Sequence, residues 1–409
     1  MANNDSSKWL NENWYVSHWN YNPQVTEKFA PPKKVIFHDV TLRDGEQQSG
    51  VVFTKDDKVG IAEIMAEAGI QRIEAGMPAV SADDEAAVRE IQRRNLGPQI
   101  LSFCRAMPED VIRSADCGVN GVVIEAPVNE LLIKHGYYWS TEQALEKAIA
   151  STLAAKERGL YVAYFTIDGS RAEEDYYFDF VERVAKDGHM DSLVIVDTFS
   201  GMSPQAVEFF VRKVKSRINI PLEIHCHNAL GMAVANSCAA VIAGAEVVHT
   251  TIGGIGEGAG NCPIAETAMA LLTLYGIDTG IKYDQLYDIH ERINAISGVV
   301  PNRPITGEMT YALEIGVGVG TYRKIIASNP PTQAMQYPII PEFIGQKPRN
   351  IVLGKKSGVD NVLIWAERLG IDLNKDEARE VLELVKNKSI EKKNLLNEEE
   401  FLEIVAKVK

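Results

Sequence analysis

The sequence predicts a parallel (β/α)8 TIM barrel followed by a small helical C-terminal accessory domain, and three observations carry that reading. Between Lys34 and about Ala295, short apolar runs alternate with amphipathic stretches of helical period. The runs number eight, and helical lengths rather than two-residue turns separate them. Polar and charged residues gather where the runs stop, the end of a barrel strand at which active sites are built. A doubly wound open sheet shares this alternation and differs in strand order; the count of eight favours closure.

Residues 1–33 precede the first run and hold Trp9, Trp14, Trp19, Tyr15 and Tyr21 among polar neighbours. Aromatics at that density need a surface to bury against, so the segment reads as a strap over the barrel or over a partner subunit, with a disordered tail as the alternative. The barrel itself is assigned to residues 34–297. Its strands are expected at Val35–Phe37, Ile73–Ala75, Ile100–Phe103, Val122–Ile124, Val162–Thr166, Leu193–Val196, Leu222–Cys226 and Val247–Thr251. The preceding helices stop at AEAGIQ, KERGLY and IAGAEV, where glycine supplies the left-handed turn.

Residues 298–352 break the pattern, with prolines at 301, 304, 330, 331, 338, 341 and 348, and read as a linker with little regular structure. Residues 353–409 read as a helical subdomain with helices near 358–369, 375–392 and 397–408. The last opens on Asn397 and Glu400, the spacing of a capping box.

Composition excludes several functions. A net charge of −14 repels phosphate backbones and anionic membranes, so no nucleic-acid or membrane partner is expected. The five cysteines form no CxxC pair and suit reduced thiols in a cytosol. The polar N-terminus has no signal-peptide pattern and no apolar run reaches a membrane-spanning length; a cytoplasmic protein follows.

The chemistry-bearing residues lie at two strand ends. His225 and His227 flank Cys226, so the two-residue period of a strand turns both imidazoles to one side. Alone, such a pair is equally well two hydrogen-bonded core histidines. Asp44, in the loop after the first strand, can meet them across a barrel mouth, and two imidazoles with a carboxylate suit a divalent ion. Arg43 beside Asp44 sets a cation toward a substrate oxyanion while the carboxylate faces the metal. Glu46 in the same loop reads equally as a solvated bystander. The glycine-rich stretch Gly253–Asn261 follows the eighth run, where backbone amides can receive a phosphate or carboxylate.

Together TLRDGEQ, IEAGMPAVS, VDTFSG, IHCHNALGMAVAN and GIGEGAGN resemble the metal-dependent acyl-CoA condensing family of 2-isopropylmalate synthase and homocitrate synthase, with hydroxymethylglutaryl-CoA lyase as a cousin. The resemblance spans roughly residues 34 to 405. It implies a homodimeric enzyme that joins acetyl-CoA to an α-keto acid with Mg²⁺, Mn²⁺ or Zn²⁺. It further implies Asp44, His225 and His227 as metal ligands with Asn261 beside them, and Arg43 as the group that stabilises the growing alkoxide. Thr198 would touch the keto-acid carboxylate, and Gln47, Glu74 and Arg105 would line the substrate site.

The chain departs from the family at the proton-transfer positions. Where the accessory region usually reads HESGIH, this chain has Leu313-Glu-Ile-Gly-Val-Gly318. Ala229, Gly258, Lys356 and Ile167 replace the usual aspartate, arginine, histidine and glutamate. Tyr311, Glu314, Lys356 and His135 are the replacement bases the sequence offers. Cleavage in the manner of the lyase, or a non-catalytic acyl-CoA or metal-binding barrel, are the competing readings.

Overall fold

All eight expected runs are strands in the computed structural model, which describes residues 6–299, 306, 311–327, 340–355, 357–392 and 394–409. They are β1 (Ile36–Asp39), β2 (Arg72–Glu74), β3 (Gln99–Arg105), β4 (Gly121–Pro127), β5 (Tyr161–Ile167), β6 (Ser192–Asp197), β7 (Leu222–Cys226) and β8 (Val247–Thr250). Each pairs in parallel with the next, and β8 closes on β1 through Ile36–Val247 and His38–His249. The open-sheet alternative is thereby removed. The strands run near-continuously apolar because helices cover their outer face while side chains fill the inside.

The covering helices are α1 (Lys55–Glu67), α2 (Ala82–Arg94), α3 (Pro108–Asp116), α4 (Thr141–Glu157), α5 (Glu174–Asp187), α6 (Pro204–Arg217), α7 (Ala233–Ile242), α8 (Ile264–Tyr275) and α9 (Leu286–Ser297). Thr54 with Asp57 closes a capping box on α1, and Ser140 with Gln143 does so on α4. Each box satisfies two backbone N–H groups that would otherwise lack partners. Gly69, Gly159 and Gly244 take the expected positive φ after their helices.

The chain divides into two compact units, 19–304 and a second that joins 1–18 to 305–409. In the first, residues 19–33 run along the outside of the barrel. Tyr21 Oη donates to Thr273 O at 2.7 Å, Ala30 N donates to Ile242 O at 2.7 Å, and the Phe29 and Tyr275 rings meet at 5.8 Å. These partners lie at the C-terminal ends of α7 and α8, the end remote from the mouth of a (β/α)8 barrel.

The second unit has its own core. Helices α10 (Gly316–Ala327), α11 (Val359–Arg368), α12 (Lys375–Lys392) and α13 (Glu398–Val408) bury Val319, Val362, Trp365, Val385 and Phe401 together. Trp365 donates to Ile351 O at 2.7 Å and meets Phe401 edge-on at 5.5 Å. The capping box of Asn397 and Glu400 is present. Helix α10 lies where the sequence suggested irregular chain. Its Gly316 approaches Gly358 so closely that a Cβ would lie 2.6 Å from that backbone, a contact a larger residue would prevent. Trp14 packs on Phe343 at 5.6 Å within this unit. Lys356 and the prolines at 301, 304, 330, 331 and 338 fall outside the described residues.

Candidate metal centre

β7 ends in alternation, so His225 and His227 both turn inward, their Nε2 atoms 3.3 Å apart. Asp44, carried across the mouth by the turn after β1, brings Oδ2 within 3.6 Å of His225 Nε2 and 3.8 Å of His227 Nε2. Asp44 and His225 are buried, and His227 is the edge of the group that solvent reaches. Burial, reinforced by His227, His249 and Arg43, holds the His225 imidazole well below its usual range, so it is neutral and able to donate a lone pair.

The other oxygen of Asp44 is held by the glycine-rich stretch. Asn261 Nδ2 donates to Oδ1 at 2.7 Å and the Glu257 amide approaches the same atom at 3.4 Å. Gly256, at φ +154°, sits where a Cβ would be 2.1 Å from Asn261 Nδ2. A Cβ on Gly260 would be 2.0 Å from Gly254 O. Two amides of this loop are engaged within the chain, the Gly256 amide by Gln48 and the Glu257 amide by Asp44. A cavity of about 760 Å³ opens beside it, lined by Gln48, Ser49, Asn228, Gly254, Gly258 and Glu266 among others.

Arg43 links Asp44 to Gln47 and Glu74. Its Nη1 donates to Asp44 Oδ2 at 2.9 Å and to Gln47 Oε1 at 3.1 Å, and its Nε donates to Glu74. Burial alone would weaken its charge, but Glu74 and Asp44 together raise its pKa above that of an ordinary arginine. Its Nη2 is buried without a hydrogen-bond partner, as are Asn261 Oδ1 and His225 Nδ1. A bound ligand or a water can complete the bonding of such groups. Two imidazoles, a carboxylate and an amide oxygen are donors suited to a divalent cation, so the residues present fit such an ion.

The structure thus brings Arg43, Asp44, Gln47, Glu74, His225, His227 and Asn261 into one connected group. Arg105 and Thr198 have other partners here: Arg105 forms a bidentate pair with Asp110 at 2.8 and 3.0 Å, and Thr198 Oγ1 accepts the Asp168 amide at 2.9 Å. Asp39, Asp168 and Asp197, three of the acids at strand ends, tie down local loops through Thr41 N, Arg171 and Gly201 N rather than meeting the histidines. His135 is exposed after β4, and Tyr311 and Glu314 belong to the second unit.

Sequence reasoning set Glu125 and His38 among the polar residues at strand ends without giving them a role, and missed Arg72, Glu223 and His249. Glu125, beside Arg105 in the β3–β4 register, is a largely buried carboxyl that burial raises to about 7 against the pull of Arg43. Below it, His38, Arg72, Glu223 and His249 form a buried polar layer. Its histidines and carboxylate lie close enough for an ion, but Arg72 fills that space, donating to His38 Nδ1 at 2.6 Å and to Glu223. Burial would raise the Glu223 carboxyl, yet Arg72 and His249 hold it well below the usual carboxylate range. His38 Nε2 in turn lies 3.2 Å from Glu74 Oε2, without the alignment of a hydrogen bond. The inward parity of β1, β2, β7 and β8 was the available signal. Glu46 is no bystander: Oε1 accepts Phe53 N at 2.8 Å and Oε2 pairs with buried Lys58 at 2.6 Å.

Residues 34–293 match the HMGL-like family model. Homocitrate synthase AksA of Methanopyrus kandleri is 39% identical over 371 residues, covering 90% of this chain and 90% of its own length. The 2-isopropylmalate synthase of Methanocaldococcus jannaschii is 36% identical over 89% of this chain and 70% of its own. Among solved structures, the HMG-CoA lyase of Bacillus subtilis superposes with a TM-score of 0.60 at 20% identity, over 67% of this chain and 97% of the lyase. That likeness is one of fold.

Proposed function

The chain belongs to the HMGL-like family, and from that premise we propose that it is a divalent-metal-dependent acyltransferase joining acetyl-CoA or a related acyl-CoA to an α-keto acid. The observation that carries the reading is the convergence of Asp44, His225 and His227 at the barrel mouth with Arg43 against them. A bound Mg²⁺, Mn²⁺ or Zn²⁺ would supply Lewis acidity to a substrate carbonyl.

The chain's own residues would hold the ion, the growing negative charge and the substrates. Asp44, His225 and His227 would hold the ion, with Asn261 beside them through its bond to Asp44. Arg43 would stabilise negative charge that develops on the keto oxygen, its orientation fixed by Glu74 and Gln47 so that little reorganisation is needed. Gln47, Glu74, Arg105 and Thr198 are the proposed substrate-facing residues. The cavity beside the glycine-rich loop has the size and, Glu266 apart, the uncharged lining for the pantetheine arm of an acyl-CoA.

The same reading makes the protein a cytoplasmic homodimer. No described helix is long and apolar enough to cross a membrane. Large apolar side chains stand exposed on loops around the mouth, including Val52, Val80, Leu131, Tyr138, Phe199 and Leu230. A second copy covering that rim would remove them from water.

The test is thiol release by purified protein with Mg²⁺ or Mn²⁺, acetyl-CoA and a panel of α-keto acids. Free CoA should appear only when both substrates and the metal are present. No release across the panel would overturn the proposal.

A further inference from the structure

The barrel mouth has two chemically different halves. Toward β1, β2, β7 and β8 the inward residues are His38, Glu74, His225, His227 and His249. Toward β3, β4, β5 and β6 the layer beneath the rim is apolar, with Arg105 and Glu125 following above it: Phe103, Val123, Ala163, Phe165, Val194 and Val196 form one buried cluster, with Met77 and Ile167 packed on it. The aromatic pair stands at the border. The Phe165 ring meets His225 edge-on at 5.0 Å, and the Arg43 guanidinium lies 3.9 Å over the Phe103 ring. The two rings thus border this group at His225 and at Arg43.

Cationic charge on that side is already engaged. Arg43 is tied to Glu74, Asp44 and Gln47 and keeps only Nη2 unpaired, and Arg105 is tied to both oxygens of Asp110. The next inward group above the rings is the carboxyl of Glu125, the register partner of both Arg105 and Phe165. A second carboxylate on a substrate would meet two phenyl rings and another carboxyl, and with Arg43 given to the keto oxygen it would lose its hydration without gaining a donor of its own. An alkyl chain would lose only contact with water.

We propose that Phe103 and Phe165 select an α-keto acid with an apolar side chain and refuse one that bears a second, terminal carboxylate. This rests on the condensing reading above, and it names the substrate class of that site.

Two measurements on the metal-loaded full chain separate the two ideas. In the CoA-release assay, 2-oxobutanoate, 2-oxoisovalerate and 4-methyl-2-oxopentanoate are compared with 2-oxoglutarate; the best apolar acid should exceed 2-oxoglutarate by about 100-fold or more in kcat/KM. In calorimetric titrations without acyl-CoA, the same ranking should appear as affinity. Phe165→Ala and the milder Phe103→Leu should raise KM for the apolar acid about tenfold with kcat nearly kept. If no keto acid releases CoA, the condensing reading falls, and the calorimetric ranking still decides the side-chain preference. Equal or tighter binding of 2-oxoglutarate, or binding of neither class, overturns this inference.

Discussion

Asp44 has its two oxygens on different duties, and the predictions at the scale of single residues follow from that. Oδ1 is held by Asn261 and approached by the Glu257 amide, which leaves Oδ2 to face Arg43 and the histidines. Asp44→Asn should abolish stoichiometric metal retention measured by elemental analysis while the far-ultraviolet circular dichroism is kept; full retention would remove Asp44 from the ligand set. Arg43→Gln should keep the metal and lower kcat by about 10²–10³-fold, the usual loss for one preorganised oxyanion donor. A kcat within a few-fold of the parent would show that Arg43 only packs. His290, remote in sequence from this group on α9, is buried, and that burial pushes its imidazole down to about 4. The unfolded chain then binds more protons than the folded one between about pH 6.5 and 4, so stability falls as pH drops through that window. Thermal midpoints of His290→Leu should decline less steeply over it than those of the parent, and parallel declines would assign the acid sensitivity elsewhere.

At the scale of elements, the loops after the strands are fixed by few, specific contacts. Lys58 on α1 is buried, and its ammonium pairs with Glu46 from the β1 loop and Asp84 from the start of α2. It joins two of the loops that shape the mouth. Lys58→Met leaves two carboxylates without their cation, and because both are partly exposed the cost should be about 3 kcal/mol or less by denaturant titration. The glycine-rich stretch works by the absence of side chains. Gly256→Ala places a methyl group on Asn261 Nδ2 at a backbone angle that alanine rarely adopts. Asn261 would be displaced from Asp44, and metal affinity should fall about 10–100-fold, the range for groups that orient a ligand. Unchanged affinity in a metal titration would mean that Asp44 needs no such support.

At the scale of the whole molecule, closure of the barrel makes the site. Asp44 and the two histidines are separated by some 180 residues of chain, and only the pairing of β8 with β1 brings the first turn beside the end of β7. Binding an ion there is binding to the folded state alone. Chelation should lower the thermal midpoint and Mg²⁺ or Mn²⁺ should restore it, by about 2.7 kcal/mol at a hundredfold excess over Kd. The response should vanish in Asp44→Asn. In solution the proposed homodimer would have twice the 45.1 kDa chain mass by light scattering, and a monomeric mass would remove that proposal.

The sequence by itself determined the strand count, the helix stops and the identities of the candidate ligands, because hydrophobic period, glycine and an HxH pair are local signals. It also exposed the departures at Leu313, Gly318 and Ile167. Tertiary structure decided what each polar residue is for. Glu46 and Lys58 proved to be a clamp, and Arg72 fills what a list of histidines and carboxylates would offer as a second ion site. Glycines 256 and 260 are required by close packing around Asn261 and Gly254. The two halves of the barrel interior, polar and aromatic, were invisible along the chain for the same reason. Phe103, Phe165, Arg43 and His225 come from four different strands or loops, and strand register and barrel closure bring them together.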